Sequence, residues 1–410
     1  MQTTLYSRNF LFLLLGQAFS LLGNYTLKFS LSLYVLDETG SAGIFGTILA
    51  VAVVPTVLLS PFGGILADRC NRRTLMVALD ALSGVAVLGT ALLLGLGGGV
   101  MAITLLQIVL GILSAFESPT VQACIPQMHT GENLLKANAL VNQIQAVVGL
   151  VTPFLGSLAY GAWGIGPVLG IACTCFFLTA LLELGIRLAP PAVGEHQRIW
   201  QMVRADLGES MRFLDREQPA VLRLLLLAAG INFFASGCIT VGLPYLVRTV
   251  LGLSAGWYGA AESILGAAAI LGGVLVTVAA GRLTLESMWK LLAVFGAGLL
   301  PIAVVFLVPS PAGMQFAVLL AALAVGQLTC SMFSVMGLCA IQQRTPVQLT
   351  GKVMAFVLTL SMAAQPVGQA LYGWGWDRLP PWSVLLVSGG AVLAIAWRSR
   401  SLFRALVKTA

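Results

Sequence analysis

Long apolar runs, broken by short clusters of glycine, proline and charge, recur along the chain from Phe10 to Trp397. Twelve of them reach the roughly twenty residues that cross a bilayer's hydrocarbon core. They lie near 10–36, 43–66, 74–95, 100–121, 137–160, 166–188, 220–247, 256–280, 287–308, 313–340, 352–374 and 381–397, the third, sixth and last being least distinct. An open strand would leave backbone groups unpaired in lipid, so each run is expected to be a helix. Polar positions inside the runs are sparse and periodic. Gln17, Ser20, Asn24, Lys28 and Ser32 recur at three- or four-residue spacing along helix 1, which puts them on one face. Asn232 and Ser236 in helix 7, and Gln327, Ser331 and Ser334 in helix 10, supply similar groups.

The one long polar interval is 189–219. Pro190-Pro191 stops helix 6, and Arg198-Ile199-Trp200-x-x-Val203-Arg204-x-x-Leu207-x-x-x-Met211-x-x-Leu214 follows. Apolar residues at that spacing among charges predict an amphipathic helix on a membrane surface. The expected organisation is an N-terminal six-helix bundle (1–189), a cytoplasmic linker (190–219) and a C-terminal six-helix bundle (220–410). The halves repeat faintly, as transporter folds do. Gln107 matches Gln327, and Thr152-Pro153-x-x-Gly156 with Tyr160-Gly161 echoes Gln365-Pro366-x-Gly368 with Tyr372-Gly373.

Composition agrees with a polytopic membrane protein. The chain is 58% hydrophobic and 9% charged, against roughly 25% charged in soluble domains. Its net charge of +7 lies in loops and not on one polar face, which argues topology and excludes a nucleic-acid partner. Odd-numbered loops hold only Arg248 and Arg378, whereas even loops and both termini hold the remaining basic residues except Lys28. Basic loops stay inside, so both termini are expected in the cytoplasm of a bacterial-type plasma membrane. The apolar run after Arg8 is too long for a cleaved signal and should be the first span. Cys70 and Cys124 are expected in cytoplasmic loops, the other five cysteines in apolar segments, so no disulfide framework is expected.

Between helices 2 and 3 the chain turns within a few residues that carry one acid and three arginines. Gly64-x-Leu66-Ala67-Asp68-Arg69-x-x-Arg72-Arg73 resembles the signature hairpin of the major facilitator superfamily, with Asn71 where that family usually has glycine. Asn readily replaces Gly in a left-handed turn. Leu33-Tyr34-Val35-Leu36-Asp37-Glu38-Thr39-Gly40-Ser41-Ala42 and Leu349-Thr350-Gly351-Lys352-Val353-Met354-Ala355 extend the resemblance to its macrolide-efflux-like drug:proton antiporter branch. The resemblance implies an all-α membrane fold of twelve helices in two pseudo-symmetric bundles, and a transporter that is not an enzyme.

It also implies roles. Asp68 would cap the start of helix 11 at Gly351 and open and close with the cytoplasmic side. Gly64, Arg69, Arg72 and Arg73 belong to the same switch, and Arg72 could relay Asp68 to Glu117. Asp80 is expected to be structural, and Glu183 to pair with Arg187 four residues on. Gly149-x-x-x-Pro153-x-x-Gly156 resembles a shortened antiporter motif. Gln107 stands where antiporter families place an arginine, which counts against their usual proton-coupling scheme. Helices 1, 4, 7 and 10 would line the cavity, making Asn24, Lys28, Gln107, Asn232, Glu262 and Gln327 candidates for substrate or coupling. Phe29, Phe233, Phe234 and Phe333 around them suit an amphipathic organic solute better than a sugar.

Lys28 and Glu262 lie about 12 Å and about 9 Å below the outer helix ends, so a bridge between them is an expected outer gate. The expected function is rocker-switch export of such a solute, with protons a candidate coupling ion. A lipid-like or siderophore-like anion is the alternative substrate; a non-transporting sensor or intramembrane enzyme is less favoured. Membrane lipid is an expected partner, the chain is expected to be monomeric, and no cofactor or metal is expected, since His129 and His196 fall in loops.

Overall fold

A computed structural model describes residues 5–188, 208, 211–279, 283–346 and 349–408; the side chains at 61, 65, 68, 217, 350–352, 355, 358 and 405–408 fall outside that description. The described residues form helices and no strand. In order these are α1 (Arg8–Thr39), α2 (Ala42–Arg69), α3 (Arg72–Gly95), α4 (Gly99–Met128), α5 (Gly131–Trp163) and α6 (Ile165–Leu184). After the linker come α7 (Pro219–Val250), α8 (Ala255–Val278), α9 (Met288–Leu307), α10 (Ala312–Arg344), α11 (Thr350–Arg378) and α12 (Pro381–Lys408). Eleven helices among the described residues are long and apolar enough to cross a membrane. The twelfth, α11, is 29 residues long and carries Lys352, Gln365, Gln369 and Asp377. The chain is an all-α, multi-pass membrane protein.

Several boundaries move outward from the sequence expectation, because a helix continues past the hydrocarbon until a cap or breaker stops it. α4 runs to Met128, which puts Cys124 inside a helix, buried, and not in a loop. It also leaves Glu117 about three turns from the end. α12 runs to Lys408, well beyond 397. Asn71 is extended (φ −65°, ψ 109°), not left-handed: its side chain accepts from the Thr74 N–H and caps α3. The left-handed positions are glycines at other turns, Gly40, Gly131, Gly164 and Gly252 among them. The amphipathic helix expected across 198–214 lies mostly outside the described residues; Phe213 and Leu214 are described and buried.

The chain divides into two compact units, Met1–Glu38 with Val51–Val203, and Thr39–Ala50 with Arg204–Ala410. In the first, α3 packs on α4 and α6. A Cβ added at Gly63 or Gly111 would run into the carbonyls of Ala115 or Ala52, so α2 and α4 cross backbone to backbone. Gly156 seats α5 on Thr26 and Phe29 of α1. In the second unit the pairing order recurs: α9 packs on α10 and α12, and Gly368 seats α11 on the Phe233 backbone of α7.

Candidate functional site

The polar face of α1 divides along its length. Lys28 is exposed and Asn24 half-buried, while Ser32 is buried and donates to the Lys28 carbonyl at 2.8 Å. Toward the helix start, Gln17 and Ser20 are buried, Ser20 against acids of two other helices, and an acid of a third helix lies beside Gly16. Ser20 Oγ lies 3.0 Å from Asp80 Oδ1 of α3 and 2.9 Å from Glu117 Oε1 of α4. Glu183 of α6 lies beside Gly16: a Cβ there would stand 3.6 Å from Glu183 Cγ. Asp80 is 0% exposed and Glu183 1%. Asp80 Oδ2, Glu183 Oε2 and Gln17 Nε2 are buried without hydrogen-bond partners.

Hydrogen counting constrains this cluster. A serine hydroxyl has one proton to donate, so Ser20 can satisfy only one of the two carboxylate oxygens it touches. The other contact is a hydrogen bond only if that carboxyl carries a proton and donates to Ser20. No arginine or lysine among the described residues forms an ion pair with the three acids. Uncompensated charge is costly inside a membrane, and a shared proton is the available remedy.

The arginines of the hairpin go elsewhere. Arg72 donates from Nε to the Ala67 carbonyl (2.8 Å) and from Nη1 to the Ala123 carbonyl (2.9 Å), and Arg73 donates to the Leu184 carbonyl. The expected Arg72–Glu117 link is therefore corrected: Glu117 faces Ser20. Glu183 does not pair with Arg187 either, since α6 ends at Leu184 and Arg187 lies beyond the helical register. Asp80, expected to be structural, joins the polar cluster. What marked Asp80 and Glu183 beforehand was their type, ionisable groups within apolar helices; the residue to which they turn is a tertiary matter. Gly64 and the exposed Arg69 lie on the last turns of α2, whereas the Asp68 side chain and the Gly351 contact expected of it fall outside the described residues.

In the second unit, Asn232 donates to the Ala228 carbonyl (3.1 Å), and its Oδ1 stands 3.5 Å from Gln365 Nε2. Glu262 pairs with the Tyr258 hydroxyl one turn away, so it has a partner of its own within α8. Gln327 is half-buried, and Gln107, in the first unit, is buried in α4. Phe233, Phe234 and Tyr372 stack edge-to-face. Among the described residues no group of three potential ligands could hold a metal ion.

Comparison with known proteins agrees with this architecture. Residues 13–369 match the family described as Major Facilitator Superfamily. The chain is similar to macrolide efflux protein A of Streptococcus pyogenes, 22% identical over 385 residues that cover 93% of this chain and 92% of that protein. The multidrug efflux pump Tap of Mycobacterium tuberculosis is 25% identical over 347 residues, covering 83% and 80%. The staphyloferrin A transporter of Staphylococcus aureus is 23% identical over 263 residues, 63% of each chain. Among solved structures, the nucleoside transporter NupG superposes with a TM-score of 0.73 at 12% identity, over 98% of this chain and all (100%) of that one. The chain is a transporter that belongs to the Major Facilitator Superfamily.

Proposed function

We propose that this transporter exports amphipathic organic solutes across a bacterial plasma membrane by alternating access, driven by protons that bind the Ser20 cluster. The observation that carries the coupling is the single hydroxyl between the Asp80 and Glu117 oxygens. It calls for one carboxyl proton, and Arg72 and Arg73 of the hairpin donate to backbone carbonyls. A site that must hold a proton in one arrangement can release it when helices shift, and this links proton movement to the conformational cycle. The efflux function in the names of two relatives, and the aromatic group at Phe233 and Phe234, support the solute class. The basic residues of the even loops support a cytoplasmic position for both termini.

The test is transport in proteoliposomes with a panel of amphipathic solutes, with and without an imposed pH gradient. Wild-type protein should accumulate substrate only with the gradient. Asp80→Asn or Glu117→Gln should lose gradient-driven accumulation yet keep downhill exchange. Equal accumulation without a gradient would remove proton coupling.

A second reading has its own support. Lys28 is an exposed cation on the polar face of α1, and one relative is named for a siderophore. An organic anion as cargo would then compete with the drug panel, and Lys28→Ala would abolish its transport.

A further inference from the structure

The start of α2 is held by an acid from α11. The Asp377 carboxylate accepts from Ser41 Oγ at 2.5 Å, from the Ala42 N–H at 2.7 Å and from the Gly43 N–H at 2.9 Å. Those amides belong to the first turn of α2, where no partner exists within the helix. A carboxylate there gains both charge-assisted bonds and the positive end of the helix dipole. Yet α2 already has a cap of its own, since Ser41 Oγ accepts from the Ile44 N–H at 3.1 Å. Asp377 serves the two amides that Ser41 leaves open, and in doing so it ties α2 to α11.

Behind this contact the two helices touch without side chains between them at the crossing. A Cβ on Gly46 would overlap the Gln369 carbonyl, and one on Gly373 would overlap the Ala42 carbonyl and stand 3.1 Å from Gly43 Cα. Surfaces that meet backbone to backbone can part without rotamer changes. The polar contact is also at the solvent edge: Asp377 is exposed. When it lets go, water can replace it at the amides, so release costs far less than for a buried bond.

α2 is continuous from Ala42 to Arg69, but residues 39–50 cluster with α11 whereas the helix from Val51 onward clusters with the other unit. We propose that Asp377 is a positioning residue of the transport cycle, a latch that holds the first turns of α2 on α11 in one state and releases them in the next. Both helices end in the same dipeptide, Asp68-Arg69 and Asp377-Arg378. The inference rests on membership of a transporter family and on no particular substrate or coupling ion.

The test uses a background in which the seven native cysteines are replaced. Gln369→Cys is the reporter, because Gln369 is buried at 4% exposure beside the seam. Adding Asp377→Asn should label that cysteine about tenfold faster, the factor expected for one charge-assisted bond lost, and should slow transport. Asp377→Glu should recover part of both. A Ser41→Cys with Asp377→Cys pair, oxidised, should block transport, and reductant should return it to the slowed level of a protein without the Asp377 carboxylate. Unchanged labelling and flux in a folded Asp377→Asn protein would overturn the latch. If that variant fails to fold, Ser41→Ala decides, since it keeps the carboxylate and removes one of its three donors: unchanged Gln369→Cys labelling and flux in it would overturn the latch as well.

Discussion

Arg72 and Arg73 open α3, and their guanidiniums complete other helices. Their acceptors, the carbonyls of Ala67, Ala123 and Leu184, lie in the final turns of α2, α4 and α6. Carbonyls in such positions lack partners or carry the negative end of the dipole, so cations are favoured there. Arg72→Ala should lower stability by about 2 kcal/mol, the scale of a hydrogen bond made by a charged group. Thermal unfolding in detergent would measure it. Arg72→Lys should recover little, because one ammonium cannot serve two carbonyls in the fork geometry of a guanidinium. The basic residues and the hairpin were legible in the sequence, since a dense cluster of charge between two apolar runs has to sit at the membrane surface. Their acceptors were not, because a backbone carbonyl leaves no mark in sequence. Glu183 makes the same point in reverse: its spacing to Arg187 suggested a pair, but that spacing holds only while the helix lasts.

At the scale of elements, apolar run length located each of the twelve long helices among the described residues, and the misses were at ends, in the short turns Phe213–Glu217 and Leu285–Ser287, and in internal geometry. α7 is the clearest case. It reads as one uniform apolar run, yet it widens into i→i+5 turns at Ser236–Val241 and Leu246–Val250. Wide turns free backbone groups, and the Gly237 carbonyl accepts from Trp376 Nε1 of α11 at 3.1 Å. Gly237 also lets the Tyr372 ring lie against the backbone, where a Cβ would overlap it; the Tyr372 hydroxyl is tied to Ser388 of α12 at 2.6 Å. Gly237→Ala should therefore destabilise the protein by about 1–3 kcal/mol through overpacking. Gly230→Ala, on the same helix with nothing within 4 Å, should be near neutral. Matched thermal unfolding of the two variants separates a packing effect from a general change in helix propensity. The repeat Gln365-Pro366-x-Gly368 was visible in sequence; Gly368 lets α11 meet the Phe233 backbone of α7 where a Cβ would overlap, whereas a Cβ on Gly156 would meet α1 at 3.5–3.6 Å, an ordinary contact.

For the whole molecule, the helix bounds sharpen the charge argument about sidedness. The connections 40–41, 96–98, 164, 251–254, 308–311 and 379–380 contain no lysine or arginine. The alternate connections include the basic linker, and Arg69, Arg72 and Arg73 flank one of the shortest of them. Twelve crossings would put both termini on the basic side, and because membranes retain basic segments on their cytoplasmic face, that side is the expected cytoplasmic one. Single cysteines in a cysteine-free background provide the test. Ones near Gly98 and Gly164, in non-basic turns, should react with an impermeant thiol reagent added to intact cells. One at Arg72 should react only after the membrane is opened. This pattern depends on the number of crossings and the loop charges, so a faulty latch or proton site would leave it intact. Reaction at Arg72 from outside would invert the orientation. It would then turn the hairpin end of α3, toward which Asp80 of the Ser20 cluster lies, to the exterior, and reverse the direction in which its proton could drive transport.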